Sequence, residues 1–396
     1  MCWCVSWSPS GNALASCGQD KTIRIWDALE DSFKCVGVAN EDGEIHSRTV
    51  RRITWRGDSN YIGCASFDST SSIWSIRPDG KLHRLAKISG QENEVKGICF
   101  SPCGDMIATC SRDKSVWVFD INALLAKESA SGSYSVPSDF HRVSAHESEF
   151  DFPSSPSDKQ RSLFGDSDDV ECLAVLLGHS QDVKAVKFNP FDSHMLVSVS
   201  YDDSVKIWRS TTNDDWQLQE TLKGHRNTVW DVVFNPEKPG EFATVSADGC
   251  MKIWTSGGVK TSIKPGHSYL LTGPLGVSSR RHNHDLLPLT GSGWSCQTIQ
   301  IASALLEQTY PAPVYSIDWS TNGLIAVACG DNSVGLYVRR GSSVIPISTM
   351  KTDSEPNCVA FRPRVGETDC SQLAVALDDG SIAVYEICDW DVLNYS

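Results

Sequence analysis

Residues 200–208 read SYDDSVKIW, and residues 246–254 read SADGCMKIW. Both stretches begin with a small residue, turn at an aspartate, and continue with alternating apolar residues that end in tryptophan. Alternation with a period of two predicts a strand, and a tight turn ahead of it predicts a hairpin. A unit that recurs along the chain predicts a repeat architecture.

Five further stretches share this layout. They read CGQDKTIRIW at 17–26, SFDSTSSIW at 66–74, SRDKSVWVF at 111–119, CGDNSVGLY at 329–337 and LDDGSIAVY at 377–385. With the first two, their turn aspartates are Asp20, Asp68, Asp113, Asp202, Asp248, Asp331 and Asp379. Four of the six gaps span 45–48 residues, which is the length of one four-stranded repeat. The other gaps, of 89 and 83 residues, fit one repeat plus an insertion of about 40 residues.

The two long gaps contain polar segments without alternation. Residues 125–170 are rich in Ser, Asp and Pro, and residues 257–293 carry Gly, Ser and His. Because such segments bury little apolar surface, we expect 125–170 to be a disordered insertion and 257–293 to be a loop insertion. We predict a single domain over residues 1–396. Its seven blades are expected at about 1–40, 41–87, 88–124, 171–220, 221–256, 294–348 and 349–396.

Composition narrows the function classes. The chain has 396 residues with 35 basic and 49 acidic side chains, so its formal net charge is −14. This charge argues against direct nucleic-acid binding, because phosphate contacts need basic surface. No apolar run approaches the roughly 18 residues of a membrane-spanning helix, and the N-terminus has no signal-peptide pattern. We therefore expect a cytoplasmic, and also nuclear, protein that contacts neither nucleic acid nor membrane directly.

Fifteen cysteines favour reduced thiols over a disulfide framework, because the chain is long and carries no secretory signal. Four of them precede a turn aspartate by two to four residues, as small core residues would: Cys17, Cys64, Cys110 and Cys329. The close pairs Cys2 with Cys4 and Cys99 with Cys103 leave metal or cluster ligation as an alternative. Neither has a second matching pair, as a four-coordinate site requires. We predict no metal or cofactor bound by the chain itself.

Two repeats carry a full set of polar partners around the turn. A histidine stands 23 residues before the aspartate, a hydroxyl four before it, and a tryptophan six after it. The sets are His179, Ser198, Asp202 and Trp208, and His225, Thr244, Asp248 and Trp254. This pattern resembles the WD40 family. The resemblance implies an all-β, seven-bladed WD40 β-propeller with two long loop insertions, in which each set forms a buried hydrogen-bonded network.

Other repeats depart from the full set. The second has His46, Asp68 and Trp74, but Cys64 stands where the hydroxyl is expected. The third has Gln91 and Phe119 in place of histidine and tryptophan, and the last two keep only the aspartate and a tyrosine. Where the set is complete, the buried carboxylate is paired and the satisfied network rigidifies its blade.

A histidine, a hydroxyl and an aspartate near one another also raise the alternative of a catalytic triad, for example His225, Asp248 and Thr244. A strand hydroxyl repeated around a ring is not an exposed nucleophile, so the structural role is favoured. The sequence contains no Gly-rich phosphate loop and no HExxH motif. We predict no catalytic residue and no enzymatic activity.

The resemblance also implies which positions face one mouth of the channel: the residue before each turn aspartate, and the fifth residue after the histidine. On this chain the cations and aromatic rings at these positions are Arg112, Arg51, Lys96, Lys184, Trp3, Phe67, Tyr201, Trp230 and Tyr315. Such side chains anchor protein interfaces, and arginine can hold a carboxylate through two hydrogen bonds. We therefore predict a partner-binding face in which Arg112 receives an acidic peptide or a terminal carboxylate. The alternative is a solvated rim in which these cations pair with Glu92, Glu94 or Asp182.

Longer strings resemble one branch of the family, the cytosolic iron–sulfur assembly WD40 proteins. They include HSRTVRRITW at 46–55, NEVKGICFSPCGDMIATCSRDKSVWVF at 93–119 and YDDSVKIWRSTTNDDWQLQETLKGHRNTVWDVVFNP at 201–236. The resemblance implies a non-catalytic scaffold of the targeting complex that brings 4Fe–4S clusters to apoproteins. Its implied partners are a small acidic subunit, a large helical-repeat subunit and client tails that end in an acidic-aromatic tripeptide. The prominent rim arginine of that branch falls on Arg112.

Two other functions and one structural question stay open. A WD40 scaffold in chromatin or signalling complexes would use the same fold, since a fold does not fix a function. A metalloprotein would use the cysteines. Propellers of this family usually close with an N-terminal strand ahead of the first blade, which the chain lacks at MCWCVSWSP. We expect CDWDVLNYS, residues 388–396, to supply the outer strand of the last blade instead.

Overall fold

Seven antiparallel sheets make up this computed structural model, which describes residues 1–28, 33–40, 45–77, 80–130, 169–212, 214–257, 293–301, 311–363 and 370–388. Six sheets have four strands, and the seventh has three within the described residues. The innermost strand of each sheet packs against the innermost strands of both neighbouring sheets, so the sheets close into a ring. The predicted all-β, seven-bladed propeller is confirmed.

The first four blades contain sixteen strands. Blades one and two consist of β1 (Cys2–Trp7), β2 (Ala13–Gly18), β3 (Ile23–Asp27), β4 (Lys34–Ala39), β5 (Val50–Trp55), β6 (Tyr61–Ser66), β7 (Ser71–Ile76) and β8 (Leu82–Ile88). Blades three and four consist of β9 (Val95–Phe100), β10 (Met106–Ser111), β11 (Ser115–Asp120), β12 (Glu171–Leu177), β13 (Val183–Asn189), β14 (Asp192–Ser200), β15 (Ser204–Arg209) and β16 (Gln217–Lys223).

The remaining blades contain eleven strands in the described ranges. Blades five and six consist of β17 (Val229–Phe234), β18 (Glu241–Ser246), β19 (Cys250–Ser256), β20 (Trp294–Gln300), β21 (Val314–Trp319), β22 (Leu324–Cys329), β23 (Ser333–Arg340) and β24 (Ser343–Lys351). Blade seven consists of β25 (Pro356–Phe361), β26 (Cys370–Leu377) and β27 (Ile382–Cys388). The helix α1 (Asn122–Ala130) lies between β11 and β12.

Two strands belong to a different blade from the one predicted. Residues 171–177 were expected at the start of blade four, but β12 pairs with β11 and forms the outer strand of blade three. Residues 294–300 were expected in blade six, but β20 pairs with β19 and completes blade five. Both insertions therefore lie inside a blade, between its third and outer strands. The outer strand has no turn aspartate of its own, so the spacing of aspartates does not locate it.

The insertion after β11 begins as a helix, which corrects the prediction of disorder from residue 125. Leu124 is buried and Leu125 partly buried against the core between blades two and three, and this packing holds α1 through residue 130. Residues 131–168, most of the loop at 257–293 and the predicted outer strand at 389–396 lie outside the described residues. No helix in the described ranges is long and apolar enough to span a bilayer.

The inner strands of each blade are largely buried because each blade is packed between two others, whereas outer strands such as β12 and β20 are mostly exposed. β2 and β18 are buried at every position, and both consist mostly of small and apolar residues. Neighbouring blades also share hydrogen bonds. The Trp55 indole donates to the Ser6 carbonyl at 2.8 Å, and the Trp7 indole donates to the Ala360 carbonyl at 3.1 Å. The second bond joins blade one to blade seven and so helps to close the ring.

A buried ion pair crosses the channel, and we call it the channel waist. Arg52 on β5 donates to Asp231 on β17, with Nη2 and Oδ1 3.0 Å apart, and Ser316 on β21 donates to the same carboxylate at 3.0 Å. The two side chains are only 14% and 1% exposed. Burial lowers the pKa of Arg52, but the Asp231 carboxylate outweighs it and raises the pKa well above its ordinary value. The waist thus links blades two, five and six.

Candidate functional site

Blades four and five contain the hydrogen bonds expected of a WD40 network. In blade four, His179 Nδ1 is 2.9 Å from Asp202 Oδ2, and its Nε2 is 2.8 Å from Ser198 Oγ, which also accepts from Trp208 at 2.8 Å. The equivalent distances in blade five, among His225, Asp248, Thr244 and Trp254, are 3.0, 2.8 and 2.9 Å. In each blade the histidine is hydrogen-bonded to both the carboxylate and the hydroxyl, inside the blade. This arrangement leaves no exposed nucleophile and fits a structural role.

Blade two keeps the network although Cys64 occupies the hydroxyl position. Ser72, the Cα partner of Cys64 on the adjacent strand, supplies the hydroxyl instead. His46 Nε2 and Trp74 Nε1 each lie 2.7 Å from Ser72 Oγ, and His46 Nδ1 lies 3.3 Å from Asp68. The residues of the predicted network are therefore present, and Ser72 is the member that sequence reasoning missed.

Blade three also replaces its missing tryptophan by a neighbour. Trp117, two residues before Phe119, donates its indole N–H to Ser115 at 2.8 Å. Its ring covers Gly90, where a Cβ would lie 2.8 Å from the ring and where φ is +136°, so glycine is required. The Gln91 amide nitrogen and the Thr109 hydroxyl are buried without a hydrogen-bond partner among the described residues. The network of blade three is thus incomplete.

A β-bulge in every innermost strand turns one side chain towards the channel mouth. The pairing of each innermost strand with the next skips a single residue at the equivalent position. A bulge re-aims the side chain of the residue it adds. The seven added residues, which we call the bulge ring, are Trp3, Arg51, Lys96, Lys184, Trp230, Tyr315 and Asn357.

The residue before each turn aspartate is fixed against the same bulge. In blade three the Arg112 amide donates to the Glu94 carbonyl at 2.9 Å, and Glu94 lies two positions before the bulge residue Lys96. The equivalent bond occurs in all seven blades at 2.8–3.0 Å, including those without the histidine network. Backbone geometry, rather than the network, therefore places both sets of predicted residues at one end of the channel.

All seven bulge-ring residues line one cavity of about 430 Å³, which we call the mouth cavity. A second cavity of about 260 Å³ opens between blades three and four, and we call it the Arg112 groove. Its lining includes Arg112 and Tyr201, and the two cavities share Phe67, Lys96 and Lys184. The structure thus brings together all nine residues predicted to bind partners. Asn357 and Asp378 also line the mouth cavity; they occupy the same two repeat positions but are neither cations nor aromatic rings. Sequence reasoning left out Met1 and Glu355, which line the mouth cavity as well.

Ion pairs on the rim match the alternative prediction, in which the cations pair with nearby carboxylates. Arg112 Nη1 lies 3.1 Å from Glu94 Oε2, and Arg48 contacts the same carboxylate at 3.1 Å. Glu94 raises the pKa of Arg112. The Arg112 side chain is nevertheless 54% exposed. Because an exposed ion pair adds little to stability, a partner carboxylate can replace Glu94 at small cost.

The lysines between the two cavities are held by one carboxylate and by aromatic rings. Asp182 accepts from Lys96 at 2.7 Å and lies 3.5 Å from the Lys184 ammonium. Lys184 Nζ stands 4.8 Å from the Trp230 ring centroid and 5.2 Å from that of Tyr201. Burial and the nearby Lys96 lower the pKa of Lys184 to about 8. Positive charge is therefore concentrated where the two cavities meet.

The described residues contain no cluster of three or more His, Cys, Asp or Glu side chains arranged to hold a metal ion. Cys4 is buried with its sulfur 3.8 Å from that of Cys358, and Cys2 is buried nearby. Burial raises the pKa of the Cys2 thiol to about 12. Cys99 is buried in the core, whereas Cys103 is exposed and contacts Ser193 at 2.9 Å. The members of this second pair therefore face different surroundings.

Comparisons with known proteins agree with the fold. The family described as "WD domain, G-beta repeat" matches residues 2–27, 82–120, 170–209, 216–255 and 305–337. A Kluyveromyces lactis protein named "Probable cytosolic iron-sulfur protein assembly protein 1" is 38% identical over 130 residues, 31% of this chain and 38% of that protein. The protein of the same name in Vanderwaltozyma polyspora is 30% identical over 235 residues, 51% of this chain and 67% of that protein.

A Caenorhabditis elegans protein named "Probable cytosolic iron-sulfur protein assembly protein CIAO1 homolog" is 37% identical over 117 residues, 29% of this chain and 34% of that protein. The chain spans about a third of the length of the first curated relatives it matches. The seven blades, the bulge ring and the histidine network together define a WD40-repeat β-propeller. Within that class, the chain belongs to the family of the cytosolic iron–sulfur protein assembly protein 1.

Proposed function

We propose that this chain is a non-catalytic scaffold in cytosolic iron–sulfur protein assembly. In this role it helps to deliver 4Fe–4S clusters to cytosolic and nuclear apoproteins through protein contacts on the face that carries the mouth cavity and the Arg112 groove. The names of its relatives support the process, since they are called cytosolic iron–sulfur protein assembly proteins. The cluster is cargo in this scheme, and the chain's own contribution is binding.

The observation that carries the proposal is the Arg112 groove. An arginine that is 54% exposed stands beside Phe67 and Tyr201 on a chain of net charge −14. Tyr201 itself is 55% exposed. Arginine and tyrosine are enriched at the energetic centres of protein interfaces, because they combine apolar area with directed hydrogen bonds. Rigid blades fix these side chains in advance, which lowers the entropy cost of binding.

The charge of the groove selects the proposed partners. Lys96, Arg112 and Lys184 favour an acidic surface, which suits a small acidic subunit of the targeting complex and acidic client tails. A large helical-repeat subunit is the other proposed partner. Location in the cytoplasm, with access to the nucleus, follows from the proposed role.

The proposal is tested by measuring which partner proteins the Arg112→Ala variant recovers. The tagged full-length chain would be purified from eukaryotic cells and its partners identified by mass spectrometry. We expect the variant to recover about tenfold less of the acidic and helical-repeat subunits than wild type does. Its melting temperature should stay that of wild type. Arg24→Ala is the matched control, because Arg24 is 41% exposed, pairs with Asp20 at 3.2 Å and lines neither cavity. Unchanged recovery with Arg112→Ala contradicts the proposal, and recovery of histones or G-protein subunits by wild type favours the chromatin or signalling alternative.

A further inference from the structure

We infer that Cys370 and Cys388 are the site of a reversible disulfide, formed when a small disulfide such as oxidised glutathione oxidises the two thiols. This bond fastens β26 to β27 in blade seven, close to the junction with blade one that we call the ring seam. The inference goes beyond the proposed function and does not depend on it, because neither cysteine lines the mouth cavity or the Arg112 groove.

The first observation is that the two sulfur atoms are in contact. Cys370 and Cys388 are Cα partners at the end of the ladder between β26 and β27, and their Sγ atoms lie 3.1 Å apart. A disulfide bond is about 2.05 Å long, so each sulfur needs to move by only about 0.5 Å to form it. The two side chains already point towards each other.

The register of the hairpin gives the backbone spacing that a disulfide needs. The Leu377 amide donates to the Ser381 carbonyl at 3.0 Å, so this pair, one step beyond the ladder, is hydrogen-bonded. Hydrogen-bonded and non-hydrogen-bonded pairs alternate along an antiparallel ladder, and the pairing from Cys370 to Ala376 runs without a register shift. Cys370 lies an odd number of positions from Leu377 and so belongs to a non-hydrogen-bonded pair, in which Cα atoms are about 4.5 Å apart. This spacing lies within the range found in disulfides.

An oxidant can reach both thiols. The Cys388 side chain is exposed, and that of Cys370 is partly exposed. A second sulfur pair, Cys4 with Cys358 at 3.8 Å, is buried. Contact with Cys4 and burial raise the pKa of the Cys358 thiol well above its ordinary value. Because the reacting species is a thiolate that the oxidant must contact, burial protects that pair, whereas Cys370 and Cys388 are open to reaction.

Exposed cysteines of blade three contact oxygen atoms instead of a second sulfur. Cys103 lies 2.9 Å from the Ser193 hydroxyl, and Cys172 lies 3.9 Å from the Ala174 carbonyl. Each of these thiols can take up a glutathione group, but these contacts offer no thiol that could displace it. Access and a second thiol within reach are therefore combined at the pair in blade seven.

The reaction balances as two thiol–disulfide exchanges. The thiolate of one cysteine attacks a sulfur of oxidised glutathione, which forms a mixed disulfide and releases one glutathione thiolate. The thiolate of the second cysteine attacks the protein sulfur of the mixed disulfide, forms the bond between Cys370 and Cys388, and releases the second glutathione. The two protein thiols lose two protons and two electrons, and oxidised glutathione takes up both. An excess of reduced glutathione reverses the sequence, as expected for an exposed disulfide in a reducing compartment.

The pair stands next to the ring seam. Two positions along the same face, Gln372 and Glu386 are Cα partners whose side chains share a hydrogen bond of 3.2 Å. Arg362 donates to the Gln372 side chain at 2.7 Å. It also donates to two carbonyls of blade one, those of Gly11 and Ala28, at 2.7 and 3.0 Å. A bond between the cysteines therefore stiffens the hairpin that Arg362 attaches to blade one.

The test incubates the reduced full-length chain with oxidised glutathione, blocks the remaining thiols with iodoacetamide and maps the products by peptide mass spectrometry. We expect a linked peptide pair that contains Cys370 and Cys388 as the main protein disulfide. Cys388→Ser removes the second thiol, so it should carry about tenfold more glutathione on Cys370 than wild type does. Cys172→Ser is the matched control, because it removes an exposed thiol of blade three and should form the linked pair as wild type does.

Fastening of the hairpin is measured by hydrogen exchange. In the oxidised protein the amides of β27 should exchange about tenfold more slowly than in the reduced protein, because the cross-link limits local opening. The melting temperature should rise by a few degrees. Neither change should occur in Cys388→Ser treated in the same way.

Three results would overturn the inference. They are glutathione that accumulates equally on Cys370 in wild type and Cys388→Ser, disulfide-linked dimers as the main product, and a linked pair that leaves exchange in β27 unchanged. Formation of the linked pair with slower exchange supports the inference, whichever partners Arg112→Ala recovers.

Discussion

The waist and the mouth of the channel use similar residues in opposite ways. At the waist, Arg52 and Asp231 are buried, charge-matched and hydrogen-bonded. At the mouth, one residue earlier on the same strands, Arg51 makes no ion pair with a described residue and the Trp230 indole nitrogen makes no hydrogen bond with one. Satisfied buried charges hold a fold together, whereas unsatisfied ones at a cavity mark a place where something binds. A shift of one position, produced by a β-bulge, separates the two roles.

The largest effect is expected at the waist. Asp231→Asn removes the counter-charge of Arg52 and should lower the free energy of unfolding by about 3–5 kcal/mol, because an unpaired buried guanidinium remains. Chemical denaturation would measure it. The double variant Arg52→Met with Asp231→Leu removes both charges and should recover much of the loss. If Asp231→Asn is as stable as wild type, the ion pair of the waist does not stabilise the fold.

The network of blade two provides the next test. Ser72→Ala removes the hydroxyl that both His46 and Trp74 contact, and should cost about 2 kcal/mol of unfolding free energy because two buried groups lose their partner. Adding Cys64→Ser restores a hydroxyl at the usual position and should recover part of the stability. Failure of that rescue, measured by the same denaturation, would show that the two positions are not equivalent.

Acid should weaken the same networks in a defined pH window. Burial would raise the pKa of Asp248, but hydrogen bonds from His225 and the Arg226 amide lower it to about 2 from its usual 3.8. Because the folded-state pKa is the lower one, the ionised carboxylate stabilises the protein above pH 3.8. This contribution disappears as the pH falls towards 2. Unfolding free energy should drop between pH 4 and 2, and Asp248→Asn should flatten that drop. An equal pH slope in the variant would contradict the assignment.

Much of the fold and of the candidate site could be predicted from the sequence, because every repeat has the same spacing. The spacing from Asp202 to Asp248 identifies a blade, and the fifth residue after the histidine coincides with the bulge, so Arg51 and Trp230 were found without coordinates. Contacts between distant positions were out of reach. Ser72 replaces Cys64 across a strand pair, and Arg52 meets Asp231 from 179 residues away.

The outer strands also could not be assigned to their blades from the sequence. β12 follows an insertion and carries neither turn aspartate nor terminal tryptophan, so nothing local assigns it to blade three. Its position is set by pairing with β11 over Glu171–Leu177. Trp117 escaped notice for a similar reason, since a tryptophan displaced by two residues keeps the same strand face and still reaches Gly90.

The smallest effect on stability is expected at the rim. Arg112→Ala replaces an exposed side chain whose ion pair with Glu94 adds little, so its melting temperature should match that of wild type and of Arg24→Ala. Differential scanning fluorimetry of the three proteins is sufficient. A clear fall in the melting temperature of Arg112→Ala alone would place this arginine with the waist rather than with the binding surface.

The most direct measurement of the central claim, that the cations of the Arg112 groove serve recognition, is partner recovery by the tagged chain as salt rises from about 50 to 300 mM. Attraction between a cationic groove and an acidic partner is screened by salt, so recovery by wild type should fall steeply, and Arg112→Ala should start lower and fall less. Recovery that is independent of salt and identical in the two proteins would contradict the account.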